Sequence, residues 1–301
     1  MTQPEYDPIA GKVTVLSSGV RCILAPNPSP MTYRGTNTYI IGQADVAIID
    51  PGPIDPAHQA AILAAVAGQT VSHIIVTHSH LDHSLLARPL ANITGAQIVA
   101  FGKSEAGRSD AMRALATQGL AGGGEGVDHD FVPDICVADG DIIKGNTWRL
   151  EVMHTPGHMG NHIALCLDDV MFTGDLVMGW ASSLVSPPDG DLDDFLVSCR
   201  KVLQRQPRVL YAGHGAPIDD PAARIAWLID HRQGRTSQIL AALTAGPNDV
   251  AAITKLIYHD APSGLLAAAA RNVFAHLVSL HQSGQITAHP TLQADAIFAR
   301  C

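Results

Sequence analysis

The first half of the chain alternates short apolar runs with turn residues. Residues 13–16, 22–25, 38–41, 46–49 and 74–77 are rich in β-branched side chains, and each run stops at Gly, Pro, Asn or Asp, which predicts five strands. Between the last two, residues 58–67 carry apolar positions at helical spacing behind an Asp55-Pro56 start signal, so a helix is expected there. A strand at 98–101 is followed by a long segment, 102–134, that holds the run Gly122-Gly123-Gly124. No sheet uses such a run internally, and the segment reads as a partly helical insertion over one face, serving as a lid, a substrate wall or a subunit contact. Strands resume at 148–153, 163–167 and 170–172, then a helix at 191–205 and a strand at 208–211. After Pro221 the pattern turns helical: 222–243, a Gly246-Pro247 break, 250–257 and 265–283. Three helices, a Gly turn and a short apolar run at 285–287 suggest a winged-helix shape. Two units are therefore expected, residues 1–221 and residues 222–301.

Composition sets the class. With 301 residues, 47% apolar and 16% charged, the chain can bury a large core and is not a disordered protein. Five scattered cysteines, odd in number and never in a C-x-x-C pair, indicate neither a disulfide framework nor a thiolate zinc site, and fit a reducing cytoplasm. The first ten residues include Glu5 and Asp7 and no apolar core of a signal peptide. No run elsewhere approaches the length of a membrane span, so a cytoplasmic protein without a membrane partner is expected. A net charge of −9 disfavours a general nucleic-acid binder. From His231 onward five Lys or Arg face three acids, a local +2 that reads as an unremarkable surface.

The candidate chemistry is concentrated in Thr77-His78-Ser79-His80-Leu81-Asp82-His83, directly after an apolar strand. Neutral imidazole and carboxylate are what borderline divalent metals such as zinc, iron or manganese select, and a tight turn at a strand end lets near neighbours address two ions. His78 and His80 can face one, and Asp82 and His83 another. Three more candidates stand just past apolar strands, each after a glycine: His158 in T-P-G-H, Asp175 in F-T-G-D and His214 in G-H-G. Only a carboxylate can bridge two cations with both oxygens, which leaves Asp175 or Asp82 for that role.

The string H-x-H-x-D-H followed by T-P-G-H, F-T-G-D and a late G-H-G resembles the metallo-β-lactamase superfamily, over roughly residues 13–218. The resemblance implies an α/β (α+β) protein with a four-layer αββα sandwich. It also implies one metal on His78, His80 and His158, a second on Asp82, His83 and His214, and Asp175 between them. Residues 34–39, 154–162 and 183–190, with the Gly-His-Gly-Ala-Pro string, resemble more closely the β-lactamase-like-protein-2 branch, which adds a C-terminal winged-helix-like domain. Some animal members of that branch are single-strand-specific endoribonucleases. Large nuclease relatives carry a domain inserted before the last metal histidine, and the 38 residues from Asp175 to Gly213 leave no room for it.

Two divalent ions, zinc foremost, would leave a net positive, Lewis-acidic centre that generates a bridging hydroxide near neutral pH and favours an anionic or carbonyl-bearing substrate. Hydrolysis of an ester, thioester, lactone or amide of a small molecule is the leading expectation, with Asp82 a ligand that also orients the water or accepts its proton. RNA cleavage by the same centre is the alternative. A regulatory role for the helical tail, contacting nucleic acid or a partner chain, is a third; the tail reads equally as a homodimer surface or an active-site cap. Seven N and O ligands argue against a purely structural zinc, which closes four-fold around one ion. Asp50 is expected to support a ligand histidine, and His154 and His162 to make hydrogen bonds behind the metals. Asn37, Tyr39 and residues 180–183 either line the cleft or, for Tyr39 and Trp180, sit in the core. The remaining histidines (58, 73, 129, 231, 259, 276, 281 and 289) read as structural or surface residues.

Overall fold

The computed structural model describes residues 7–120 and 126–301, so the Gly122-Gly123-Gly124 run and the first six residues lie outside the described residues. One sheet consists, in chain and spatial order, of β1 (Val13–Ser17), β2 (Val20–Leu24), β3 (Asn37–Gly42), β4 (Asp45–Ile49), β5 (Thr70–Ile75), β6 (Gln97–Ala100) and β7 (Ile135–Cys136). Its first four strands are antiparallel and the rest parallel, joined through α1 (Pro56–Ala65), then α2 (Leu81–Ser84) with α3 (Ala87–Thr94), then α4 (Asp110–Thr117). The second sheet holds β8 (Ile142–Lys144), β9 (Arg149–His154), β10 (Ile163–Leu167), β11 (Val170–Gly174) and β12 (Val209–Ala212), with α5 (Leu192–Gln204) crossing between the last two, which pair in parallel. The chain ends with α6 (Pro221–Thr244), α7 (Val250–Ile257), α8 (Leu266–Gln282) and a hairpin of β13 (Ile286–His289) and β14 (Ile297–Arg300).

Period-two alternation assembles the layers. Tyr39, Ile41, Ile49 and Ile75 point into a core shared with Leu150, Val152, Leu165 and Phe172 of the second sheet. Their sequence neighbours Ile40, Ile48 and Ile74 point the other way, onto Ile62 of α1 and Leu90 of α3. The outer face of the second sheet meets Phe195 and Val202 of α5 and Ile225 and Leu228 of α6. This is the αββα sandwich. A register slip of one residue in β3 would exchange the two buried faces, and each buried Ile is worth about 1.5–3 kcal/mol.

A fourth cluster gathers Ile239 and Leu243 of α6, Ile253 of α7, Phe274 and Leu277 of α8 and Phe298 of β14. One helix, α6, thus has its first half in the sandwich and its second half in the C-terminal core. Asp220 caps it by accepting from the Ala223 amide, and Pro221 occupies the first turn, where no amide hydrogen is needed. Met112 and Leu115 of α4, the helix in the 102–134 insertion, join the same cluster, so the insertion packs against the tail.

One expectation needs correcting. Ser263–Gln282 is long and apolar enough to cross a membrane by length and composition. Its apolar residues Val273, Phe274, Leu277 and Val278 are buried in the C-terminal core, which accounts for the composition. The hydrophobic pattern also left α2, α3, β7, β8 and β14 unpredicted. The first two have no side-chain N-cap hydrogen bond, and β7 and β8 are only two and three residues long.

The C-terminal core holds a histidine with a pH consequence. His276 is buried; its Nδ1 meets Thr236 Oγ1 at 2.9 Å and its Nε2 has no hydrogen-bond partner. Burial, followed by the nearby Arg232, His231 and Arg235, pulls its pKa down to about 3. The unfolded chain then takes up a proton between the unfolded pKa of 6.5 and about 3 that the folded chain refuses. Stability from this site is therefore complete above the unfolded pKa and is lost as pH falls, by about 2 kcal/mol at pH 5. Urea unfolding of His276→Gln should show a loss between pH 7 and pH 5 smaller than wild type by about that amount; identical losses would contradict it.

Candidate metal centre

All seven candidate ligands follow strand ends at one edge of the sandwich. His78 and His80 lie between β5 and α2, Asp82 and His83 in α2 itself, His158 in the β9–β10 turn, Asp175 after β11 and His214 after β12. Backbone bonds pin the two sheets together there: the Asn37 amide donates to the Gly213 carbonyl at 2.8 Å, and the Ile163 amide to the Thr77 carbonyl at 2.8 Å. Glycine makes the approach feasible. A Cβ on Gly213 would sit 2.3 Å from Asp175 Oδ1 and 2.7 Å from His83 Cε1, and one on Gly157 would fall 2.3 Å from the Phe195 Cα.

The side chains fall into overlapping groups. His78 Nε2 and His158 Nε2 each lie 3.0 Å from His80 Nδ1. His83 Nε2 and His214 Nε2 are 3.4 Å apart, and Asp82 Oδ2 lies 3.5 and 3.3 Å from them. Asp175 spans both sets: Oδ2 is 3.3 Å from His214 Nε2 and 3.8 Å from His158 Nε2, while Oδ1 is 3.5 Å from His83 Nε2. Within each of the triads His78–His80–His158, His78–His83–Asp175 and Asp82–His83–His214 the donor atoms lie within 4.8 Å of one another.

The hydrogen bonds behind the rings fix what those facing atoms are. His158 Nδ1 donates to the Leu184 carbonyl at 2.7 Å, His214 Nδ1 to the Gly35 carbonyl at 3.0 Å and His83 Nδ1 to Asp50 Oδ2 at 2.9 Å. Thr77 Oγ1 gives its hydrogen to Asp50 Oδ2 and therefore accepts from His78 Nδ1 at 3.0 Å. Each acceptor forces the proton onto Nδ1 and leaves a lone pair on Nε2 aimed inward. The Nε2 lone pairs of His83 and His214, 3.4 Å apart, repel unless positive charge stands between them, and Asp175 Oδ1, buried with no hydrogen-bond partner, adds negative charge to the same point. The residues present fit a two-metal group.

The electrostatics divide accordingly. Burial, then His83 and His80, push the His78 pKa well down, and burial, then His158, lower His80 to about 3. Burial opposes charge on His83 too, but Asp82, Asp175 and Asp50 outweigh it and raise its pKa to about 9; at His214 the same two pocket carboxylates prevail over burial. In return His83 and His214 overcome burial at Asp82 and Asp175 and hold both well below the carboxylate range. The Asp50 carboxylate also accepts from the Thr77 amide at 2.8 Å, and Asp50 takes φ +49, an uncommon conformation for a residue with a side chain.

Outward from the candidate ligands opens a cavity of about 380 Å³, lined by His80, Asp82, His158, Asp175 and His214 on one side and by residues of α6, of the segment joining α7 to α8 and of α8 on the other. Trp180 forms part of the rim and stacks on Tyr33 with centroids 5.1 Å apart.

Comparison with known proteins decides the lineage. Residues 31–214 match the family model described as the metallo-beta-lactamase superfamily. The chain belongs to the metallo-β-lactamase superfamily. Residues 250–293 match the beta-lactamase associated winged helix domain. A beta-lactamase-like protein 2 homolog of Drosophila melanogaster is 30% identical over 91% of each chain. An atrochrysone carboxyl ACP thioesterase of Aspergillus fumigatus is 29% identical over 77% of this chain and 67% of that protein. A metallo-beta-lactamase family protein from Thermus thermophilus superposes with a TM-score of 0.76 and 26% identity, covering 95% of this chain and all (100%) of that one.

Within this superfamily member, the residues placed outside the seven behave unequally. Asp50 supports His83, as expected. His162 bonds Thr155 Oγ1 at 2.9 Å, whereas His154 stacks on Phe101 and meets the Gly160 carbonyl, away from the candidate ligands. Tyr39 is a core residue whose hydroxyl donates to the Ala212 carbonyl; Trp180 lines the pocket instead. His231, read as structural or surface, also lines the pocket, because α6 crosses from the sandwich to the tail beside the candidate centre. Thr36, whose hydroxyl donates to Asp82 Oδ2 at 3.0 Å, was missed as a contact, and its only sequence signal is the Arg34–Tyr39 string.

Asp50→Asn has a single acceptor oxygen and cannot accept from His83 on one side and from the Thr77 amide on the other. Zinc affinity of the metal-free protein, measured by competition with a chelating dye, should fall about 10–100-fold while circular dichroism stays unchanged; an unaltered affinity would contradict the assigned role.

Proposed function

We propose that this hydrolase holds two divalent ions, zinc by preference, and uses water to cleave an ester, thioester, lactone or amide of a small substrate. What carries the reading is the set of inward lone pairs, fixed by acceptors behind His78, His83, His158 and His214 and open to a cavity. His78, His80 and His158 would hold one ion, Asp82, His83 and His214 the other, and Asp175 both. Ions in this arrangement supply Lewis acidity, lowering the pKa of water and polarising the acyl carbonyl.

The chain's own residues supply the rest. Asp82 is 26% exposed in its side chain against 10% for Asp175, which makes it the carboxylate within reach of incoming water and the acceptor of its proton. Thr36 donates to one Asp82 oxygen and fixes its rotamer. The oxygen of water joins the acyl carbon, the bond to sulfur, oxygen or nitrogen breaks, and the leaving group departs with a proton. Likeness to the fungal thioesterase favours a thioester among these bonds. A reducing cytoplasm suits the five cysteines, none of which is in a disulfide.

Purified protein treated with a strong chelator should lose more than about 99% of its turnover on a panel of such substrates, consistent with a metal's share of transition-state stabilisation, and regain it with zinc, iron or manganese. Hydrolysis indifferent to chelation would overturn the proposal. Metal-dependent cleavage of single-stranded RNA with no turnover on the panel would transfer the centre to the alternative substrate.

A further inference from the structure

The wall opposite the candidate metal ligands is built by the C-terminal segment, and α6, which contributes to it, carries three arginines without an acidic partner. Arg34, Arg88, Arg108, Arg113, Arg205 and Arg208 each pair with an acid. Along α6, Arg224, Arg232 and Arg235 do not. Arg224 donates to the carbonyls of Met178 and Ala181, and Arg232, almost wholly buried, to the Ser183 carbonyl and Asn272 Oδ1. Among the described residues none of the three has a carboxylate in ion-pair range.

Arg235 is the one of the three that lines the cavity. Its guanidinium carbon lies 4.3 Å from the centroid of the Tyr258 ring, and its Nη1 donates only to neutral acceptors, Gln238 Oε1 at 2.8 Å and the Ile257 carbonyl at 3.3 Å. Its Nε is buried with no partner. Tyr258 stiffens the side chain by a cation–π contact without neutralising it, so its fork is held in place with donor capacity to spare. Burial, then Arg232 and Arg235, lowers the neighbouring His231 to about 4, so that side chain is neutral at pH 7 and Arg235 is the cation on this wall of the cavity. The cavity that Arg235 shares with the candidate ligands is lined largely by apolar groups, Met178, Leu184 and Leu265 among them.

Building on the hydrolase reading, we propose that Arg235 binds an anionic group of the substrate at the end of the molecule remote from the cleaved bond. The substrate class is then an acyl ester or thioester with an apolar middle and a terminal carboxylate or phosphate. A charge-assisted hydrogen bond in a partly desolvated site discriminates strongly against a neutral isostere, which leaves the guanidinium unanswered.

The test uses metal-loaded, full-length protein. One arm compares N-acetylcysteamine thioesters whose acyl chains end in a carboxylate or in the isosteric amide; the other compares phosphopantetheine with pantetheine thioesters. Wild type should prefer the charged member of at least one pair by about 10–100-fold in kcat/KM. Which pair responds tells carboxylate from phosphate. Arg235→Gln should collapse that preference by losing mainly on the charged probe, and Arg235→Lys should keep part of it. Metal content and the melting temperature of each variant serve as folding controls. No charge preference in wild type, or equal losses on charged and neutral probes in a folded Arg235→Gln, would overturn the inference and leave the hydrolase reading intact. Turnover of none of the probes, with metal-dependent RNA cleavage, would overturn both.

Discussion

The constraint on which this structure rests is the mutual repulsion of donor atoms crowded at one sheet edge. Four imidazoles are locked with their Nδ1 protons turned outward, to two backbone carbonyls, to Asp50 and to Thr77. Their Nε2 lone pairs converge with two carboxylates inside a few ångströms. No such arrangement is stable unless positive charge occupies its centre. Protons on His83 and His214 can meet part of that demand, as their raised pKa values record, and divalent ions meet it more fully. The surrounding architecture serves this point: both sheets end there, glycines let the backbones close in, and a strained Asp50 anchors the loop.

Much of this was legible in the chain. His78 to His83 set four side chains of metal-ligand type within six residues just after an apolar strand, and His158, Asp175 and His214 each follow a strand and a glycine. The alternation of Tyr39 to Ile41 and of Val46 to Ile49 foretold sheet faces that the structure fills. What stayed hidden was non-local. The carbonyls of Gly35 and Leu184 that orient His214 and His158 have no side-chain signature. Periodicity places His231 and Arg235 on a helix, but the side facing the candidate centre depends on how α6 lies across two cores. Short elements without caps, such as α2 and α3, carry little local pattern of their own.

The same crossing helix joins two tasks that fold units often keep apart. The sandwich supplies the groups that would activate water, while the C-terminal segment closes the cavity and brings Arg235 to its far wall. Chemistry common to a superfamily can thus stay fixed at the sheet edge while recognition changes with the residues on α6, α8 and the segment before α8. The insertion helix α4 packs on that tail as well, so changes there would reach the cavity wall indirectly.

The central claim is that cations stand between the facing donors. Crystals grown with zinc and measured on both sides of its absorption edge test it directly. The account predicts two anomalous peaks roughly 3.5–4 Å apart, one among His78, His80 and His158 and one among Asp82, His83 and His214. A single peak elsewhere, or seven side chains in place with no peak between them, would contradict it.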